Sequence, residues 1–168
     1  MCDLLEPVPA QTRMLVIRHA AERFKSSNTG ILLSRVLPHC TVLDHGRREA
    51  PLDPALLASP HMVLVYPGPP GPIPPAPTLV LLDGTWPQVR KMLHRIPGAA
   101  ALPCLSLPPP PESRRRMRES PNSEGMSTLE AAAAALSLVE NPALAEPLLR
   151  LYDQMTDRQL RQRGRKFT

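Results

Sequence analysis

The sequence predicts a single α/β domain with a mostly parallel sheet and flanking helices. Two observations carry this. Short aliphatic runs alternate with stretches of helical periodicity, the habit of α/β folds. The runs are also almost continuously apolar, as strands buried on both faces are in parallel sheets. At 168 residues the chain suits one domain, 1–168, with a real core and no second unit.

The predicted strands are MLVIR (14–18), TVLD (41–44), MVLVY (62–66), TLVLLD (78–83) and ALPCLSL (101–107). A helix over 28–37 gathers Ile31, Leu32, Leu33 and Val36 on a loose apolar face. The helix over 85–96 is clearer: Val89, Met92, Leu93 and Ile96 recur at i, i+3, i+4 and i+7, opposite Arg90, Lys91, His94 and Arg95. An alanine-rich helix over 127–140 carries Leu129, Leu136 and Val139, and a last one runs from 143 to about 161 with Pro147 near its start. The 23 prolines cluster at 66–77 and 107–112. Such segments favour stiff polyproline II, and rigid surface connections are preferred here over SH3-type ligands.

Lys and Arg number 20 against 15 acids, a net charge of +5. That excess suits a polyanionic partner and suits an ordinary solvated face equally. Cys2, Cys40 and Cys104 form no CxxC pair, which favours a reducing cytoplasmic setting over a disulfide framework. No apolar run reaches the roughly 18 residues of a membrane span, and MCDLLEPVPA lacks the basic and apolar regions of a signal peptide.

Open α/β sheets bind ligands beyond the carboxyl ends of their strands. Those ends here carry Arg18-His19, Pro67-Gly68 and Asp83-Gly84-Thr85-Trp86. A carboxylate closing the LVLL run is costly to bury unless it is paired or hydrogen-bonded, so Asp83 is the leading functional residue. Trp86 reads equally as pocket wall or as core. TWPQ is a capping box, with Thr85 as cap and Gln88 three residues on, and STLE repeats it with Ser127 and Glu130. Both helices would turn positive dipole ends toward an anionic or polar ligand, or would simply be well capped. No glycine-rich G-x-G loop follows the first strand, which disfavours an ordinary Rossmann methyltransferase.

LLDGTWPQVRKM resembles the DTW domain, whose name records its D-x-T-W signature. HAAERFKSSNTGILLSRVL (19–37) is similar to the family's H-P-x-E…N-T-x-x-L-L segment, with Ala20 in place of the proline. VLVYPGP resembles its third-strand loop and MSTLEAAAAALSLVE its L-S-T-x-E-A helix, so four segments match in order over nearly the whole chain. The resemblance implies a tRNA-uridine aminocarboxypropyltransferase, which moves the 3-amino-3-carboxypropyl group of S-adenosylmethionine to N3 of a uridine and releases methylthioadenosine. It further implies a SPOUT-like fold with a trefoil knot at the cofactor site.

On that reading Asp83 orients the uracil and accepts or relays its N3 proton, or else binds the donor's ammonium group. Pro67, Gly68, Gly84, Thr85, Trp86, Ser127, Thr128 and Glu130 fall on segments expected to bind the donor. His19, Glu22, Asn28, Thr29, Arg90, Arg114, Arg115, Arg116 and Arg118 are the expected tRNA contacts. For His19 and Glu22 an ordinary surface pair is the alternative, and for Asn28-Thr29 a helix cap. A second basic group, Arg158 to Lys166, lies in an expected C-terminal tail (158–168), and a solvated face is its alternative reading too.

The chain departs from the family in two places. Many members carry a cysteine cluster before the first strand, of which only Cys2 remains in residues 1–12, so no metal is expected. RRRMRES stands where the family shows Y-x-L-R-K. A SPOUT-like RNA methyltransferase, an rRNA aminocarboxypropyltransferase and a non-catalytic RNA-binding module are the competing readings. A monomer is slightly preferred.

Overall fold

Among the described residues five short aliphatic segments form strands, and these run parallel. They are β1 (Arg13–His19), β2 (Cys40–His45), β3 (Met62–Val65), β4 (Thr78–Asp83) and β5 (Cys104–Leu105). The computed structural model describes residues 5–25, 28–109, 125–162 and 164. Strand order is β2-β1-β4-β3-β5. The helices are α1 (Gly30–Val36), α2 (Trp86–Arg95), α3 (Thr128–Val139) and α4 (Ala145–Gln162).

Because side chains alternate along a strand, the central strands feed two cores. Met14, Val16, Leu79 and Leu81 pack with buried residues of α1, α3 and α4 on one face. Leu15, Ile17 and Val80 pack with Met92 of α2, and with Ile96 and Ala99, on the other. Double-sided burial accounts for the unbroken apolar runs of β1 and β4. The same alternation places Arg18 and Asp83, register partners at the carboxyl ends of β1 and β4, on the face covered by α1 and α3.

Two expected elements differ in extent. The strand expected over 101–107 contracts to Cys104–Leu105. Ala99–Ala101 form a 3-10 turn, and Pro103, which has no N–H, contributes to the ladder only through its carbonyl, accepting from the Leu64 amide at 2.9 Å. α1 begins at Gly30 rather than at 28, since the Asn28 side chain accepts from the Ile31 amide at 3.2 Å and is spent on the turn before the helix. The proline-rich segment after β3 covers the open edge of β5: the Gly71 amide donates to the Cys104 carbonyl at 2.9 Å. A Cβ on Gly71 would sit 2.8 Å from Pro103 Cβ, so only glycine approaches this closely. Pro147 lies in the first turn of α4, where its missing donor matters little.

Candidate active site

Asp83 is a junction of three elements. Its side chain is nearly inaccessible, at 6% exposure. Asn28 Nδ2, just before α1, donates to Oδ2 at 2.6 Å, and Thr128 Oγ1, the first residue of α3, donates to Oδ1 at 2.6 Å. Burial pushes the carboxyl above its ordinary range. The Thr128 and Asn28 hydrogen bonds pull against that, the Glu22 charge adds to it and Arg18 opposes it. The outcome is a fixed carboxylate that holds a proton more readily than a solvated one.

More charge surrounds it. Asp44, Arg18 and Asp83 lie in register across the carboxyl ends of β2, β1 and β4. Arg18 Nη2 meets Asp44 Oδ1 at 2.7 Å, with side-chain exposures of 8% and 12%. Glu22, also buried, holds Lys25 Nζ at 2.5 Å. On the opposite face His19 and His45 are register neighbours. Burial, with the charges of His19 and Arg95, holds the His45 imidazole below its ordinary value.

Beside this junction a cleft of about 340 Å³ opens at the carboxyl ends of β3 and β4. This is a volume suited to a small molecule. Tyr66 and Pro67 form one wall, Gly84, Trp86 and Val89 a second, and Met126, Ser127, Thr128 and Ala131 a third. Ser106 to Pro109 close the remaining side. The Tyr66 and Trp86 rings stand 6.4 Å apart at 59°, so they form one tilted aromatic wall and leave no slot for a ring between them. The first turns of α2 and α3 both border the cleft. The α2 turn is fixed by the Thr85 amide donating to Gln88 Oε1 at 2.7 Å. The α3 turn carries the full reciprocal box, the Glu130 amide to Ser127 Oγ at 3.2 Å and the Ser127 amide to Glu130 Oε2 at 2.9 Å. Among the described residues, Thr128 both lines the cleft and hydrogen-bonds to Asp83.

The model of the DTW domain matches residues 1–160. The chain belongs to the DTW domain family. Among curated proteins it is similar to the tRNA-uridine aminocarboxypropyltransferase 2 of Drosophila melanogaster, 31% identical over 86% of this chain and 63% of that protein. It also resembles the proteins of that name from Mus musculus, at 32%, and Macaca fascicularis, at 30%, each over 89% of this chain and 56% of theirs. The chain thus spans between 56% and 63% of the length of these relatives. No solved structure matches it.

In this DTW domain Pro67, Gly84, Trp86, Ser127 and Thr128 come together on the cleft wall. Gly68, Thr85 and Glu130 adjoin it without lining it; Glu130 serves as the cap of α3. Asp83 stands behind the wall. Glu22, Asn28 and Thr29 are buried. The alternative reading of His19 and Glu22 as a surface pair does not hold, since Glu22 is buried and committed to Lys25; Asn28 accepts from the Ile31 amide at the start of α1, as a cap would, while it donates to Asp83. His19 accepts from the Ala21 amide at 3.2 Å, and Arg90 is exposed on α2. Arg114, Arg115, Arg116, Arg118, Arg163, Arg165, Lys166 and Cys2 lie outside the described residues.

Tyr66 and Ser106 escape notice as strand residues in the sequence, and Leu107 to Pro109 as the end of a strand running into a proline-rich connection. Asp44 escapes notice too, although TVLD ends in an acid as LVLLD does. Among the described residues no group of His, Cys, Asp and Glu is arranged to hold a metal, and no helix is long and apolar enough to cross a membrane.

Proposed function

We propose that this chain transfers a 3-amino-3-carboxypropyl group from S-adenosylmethionine to N3 of a uridine in tRNA, giving the acp3-modified base and methylthioadenosine. The observation that carries the reading is the pairing of a small-molecule cleft with a buried carboxylate through one shared hydroxyl, that of Thr128. The names of the relatives supply the reaction class.

The donor supplies an alkyl group on a sulfonium, which leaves as a neutral thioether. The chain's residues bind and orient. The Tyr66–Trp86 wall and the adjoining prolines suit the adenosine, and the first turns of α2 and α3 suit the methionyl carboxylate, since unpaired helix N–H groups favour anions. The remaining need is an acceptor for the N3 proton. Asp83 is shielded from the cleft, so its route to the uracil runs through Thr128: Oγ1 takes the N3 proton as its own passes to Asp83 Oδ1, 2.6 Å away. Burial favours this direction, because it raises the carboxyl's affinity for a proton. Direct binding of the donor's ammonium by Asp83 is not adopted, since the carboxylate is buried and does not line the cleft, where Thr128 stands in front of it.

For tRNA, the exposed basic face of α2, with Arg90, Lys91 and Arg95, suits backbone phosphates. Affinity should fall with salt at a log–log slope of about 0.7–0.9 per phosphate contact. The SPOUT-like knot is also proposed. In its support, β5 lies at one edge of the sheet, yet α3 returns to the centre, where Thr128 meets β4.

Trp86 is the chain's one tryptophan and lines the cleft, so its emission reports the donor directly. S-adenosylmethionine should change it saturably. Thr128→Val should keep that titration and lower turnover about 10²–10⁴-fold, the usual reach of general-base assistance, while Thr128→Ser retains most of it. A Thr128→Val variant with wild-type turnover would remove the relay.

A further inference from the structure

The loop between β1 and α1 holds an aromatic side chain that neither the core nor the cleft employs. Tyr152 is buried in the core and Tyr66 and Trp86 face the cleft, whereas Phe24 is 89% exposed. A single exposed apolar residue is unremarkable by itself. Three further observations set Phe24 apart.

First, its neighbours are Arg23 and Lys25, and the Arg23 guanidinium carbon stands 5.3 Å from the Phe24 ring centroid. Second, the turn that carries it is anchored rather than loose. The Arg23 amide donates to the Ala20 carbonyl at 3.2 Å and the Lys25 amide to the Glu22 carbonyl at 3.1 Å. Lys25 Nζ is clamped by the buried Glu22. Third, the anchors belong to the candidate active site. The Asn28 amide donates to the Lys25 carbonyl at 3.0 Å while the Asn28 side chain holds Asp83. The turn that carries the ring is thus tied through Asn28 to the Asp83 junction, in a chain with only two phenylalanines, two tyrosines and one tryptophan.

We propose that Phe24 is a stacking platform for an unpaired nucleobase of the RNA, with Arg23 beside it on a flanking phosphate. The inference rests on the reading of the substrate as RNA. Every base has a π face, and exposed aromatics interleaved with cations are how proteins hold unstacked nucleotides. The cations flanking the ring favour RNA over a protein partner. Arg23 lies 3.7 Å from Asp44, whose carboxylate Arg18 already holds at 2.7 Å, so the Arg23 guanidinium is only loosely held and, at 40% exposure, is accessible beside the ring. A bulge or loop nucleotide next to the modified uridine is the occupant this arrangement fits.

The test uses the full chain and measures equilibrium binding of unmodified tRNA and of a short oligouridylate by fluorescence anisotropy. Phe24→Ala should weaken both by about 5- to 100-fold, the range that loss of one base–aromatic stack gives. Phe24→Tyr should restore binding, and Phe24→Leu, which keeps apolar bulk without a π face, should not. In turnover the loss should appear in KM for tRNA more than in kcat, with the Trp86 titration by S-adenosylmethionine unaltered. Wild-type affinity in Phe24→Ala overturns the proposal, as does full rescue by leucine. A change of oligomeric state with RNA binding intact overturns it in favour of a self-association surface. A wild-type chain that binds neither RNA removes the proposal together with the RNA reading. A wild-type chain that binds RNA and transfers nothing removes only the reaction, and the Phe24 ratios still decide.

Discussion

Gly30→Ala is the sharpest probe of the Asp83 junction, because two physical effects give it opposite signs. Alanine favours a helix over glycine by up to about 1 kcal/mol, so α1 taken alone predicts a gain. In the fold, a Cβ at this position would lie 2.6 Å from Asp83 Oδ2, 3.0 Å from Asp83 Cγ and 3.3 Å from Val16 Cγ1. The clash can be borne as overpacking, at about 1–3 kcal/mol. It can instead be relieved by moving the carboxylate off Asn28, which forfeits a hydrogen bond to a charged group of about 1.5–3 kcal/mol. These are alternatives and do not add. Set against the helix gain, they leave a net loss centred on about 1 kcal/mol, or roughly 2–4 °C in Tm for a domain of this size. Thermal and urea unfolding followed by circular dichroism measure it. A variant as stable as wild type, or more stable, would refute the close packing of α1 on Asp83.

Two other predictions concern the same end of the sheet. Arg18→Ala leaves the partly buried Asp44 with the more distant Arg23, and should cost about 1.5–3 kcal/mol in urea unfolding at unchanged m value; a loss under 1 kcal/mol would mean the pair is effectively solvated. Because burial raises the Asp83 carboxyl above its ordinary range, turnover should fall as pH drops through that raised value and the base takes up its proton. A pH–rate profile that stays flat down to the usual carboxylate value, about 4, would contradict the assignment.

The strands and caps were legible because their signals are local. Double-sided burial makes β1 and β4 continuously apolar, and each capping box is written within four residues. Asp83 stood out for the same reason: an acid at the end of such a strand needs partners. The partners themselves were not legible. Asn28 is 55 residues away in sequence and Thr128 is 45, and only the strand order that puts β4 beside β1 brings them together. Burial turns Asn28 from an expected RNA contact into a hydrogen-bond donor behind the cleft wall, while Thr128 lines the cleft and donates to Asp83 as well. β5 was overestimated because apolarity alone does not register that Pro103 lacks a donor. Pro108 and Pro109 are not legible as cleft residues because a proline run reads as a connection whether or not it walls a pocket, and Ser106 is hidden inside the over-long strand.

The most direct test of the central claim is mass spectrometry of nucleosides from unmodified tRNA incubated with this chain and S-adenosylmethionine. The account predicts a uridine heavier by one aminocarboxypropyl group and an equal amount of methylthioadenosine, both abolished in Asp83→Asn while the Trp86 titration persists. A uridine heavier by one methyl, or unaltered tRNA from a folded chain that binds both ligands, would contradict it.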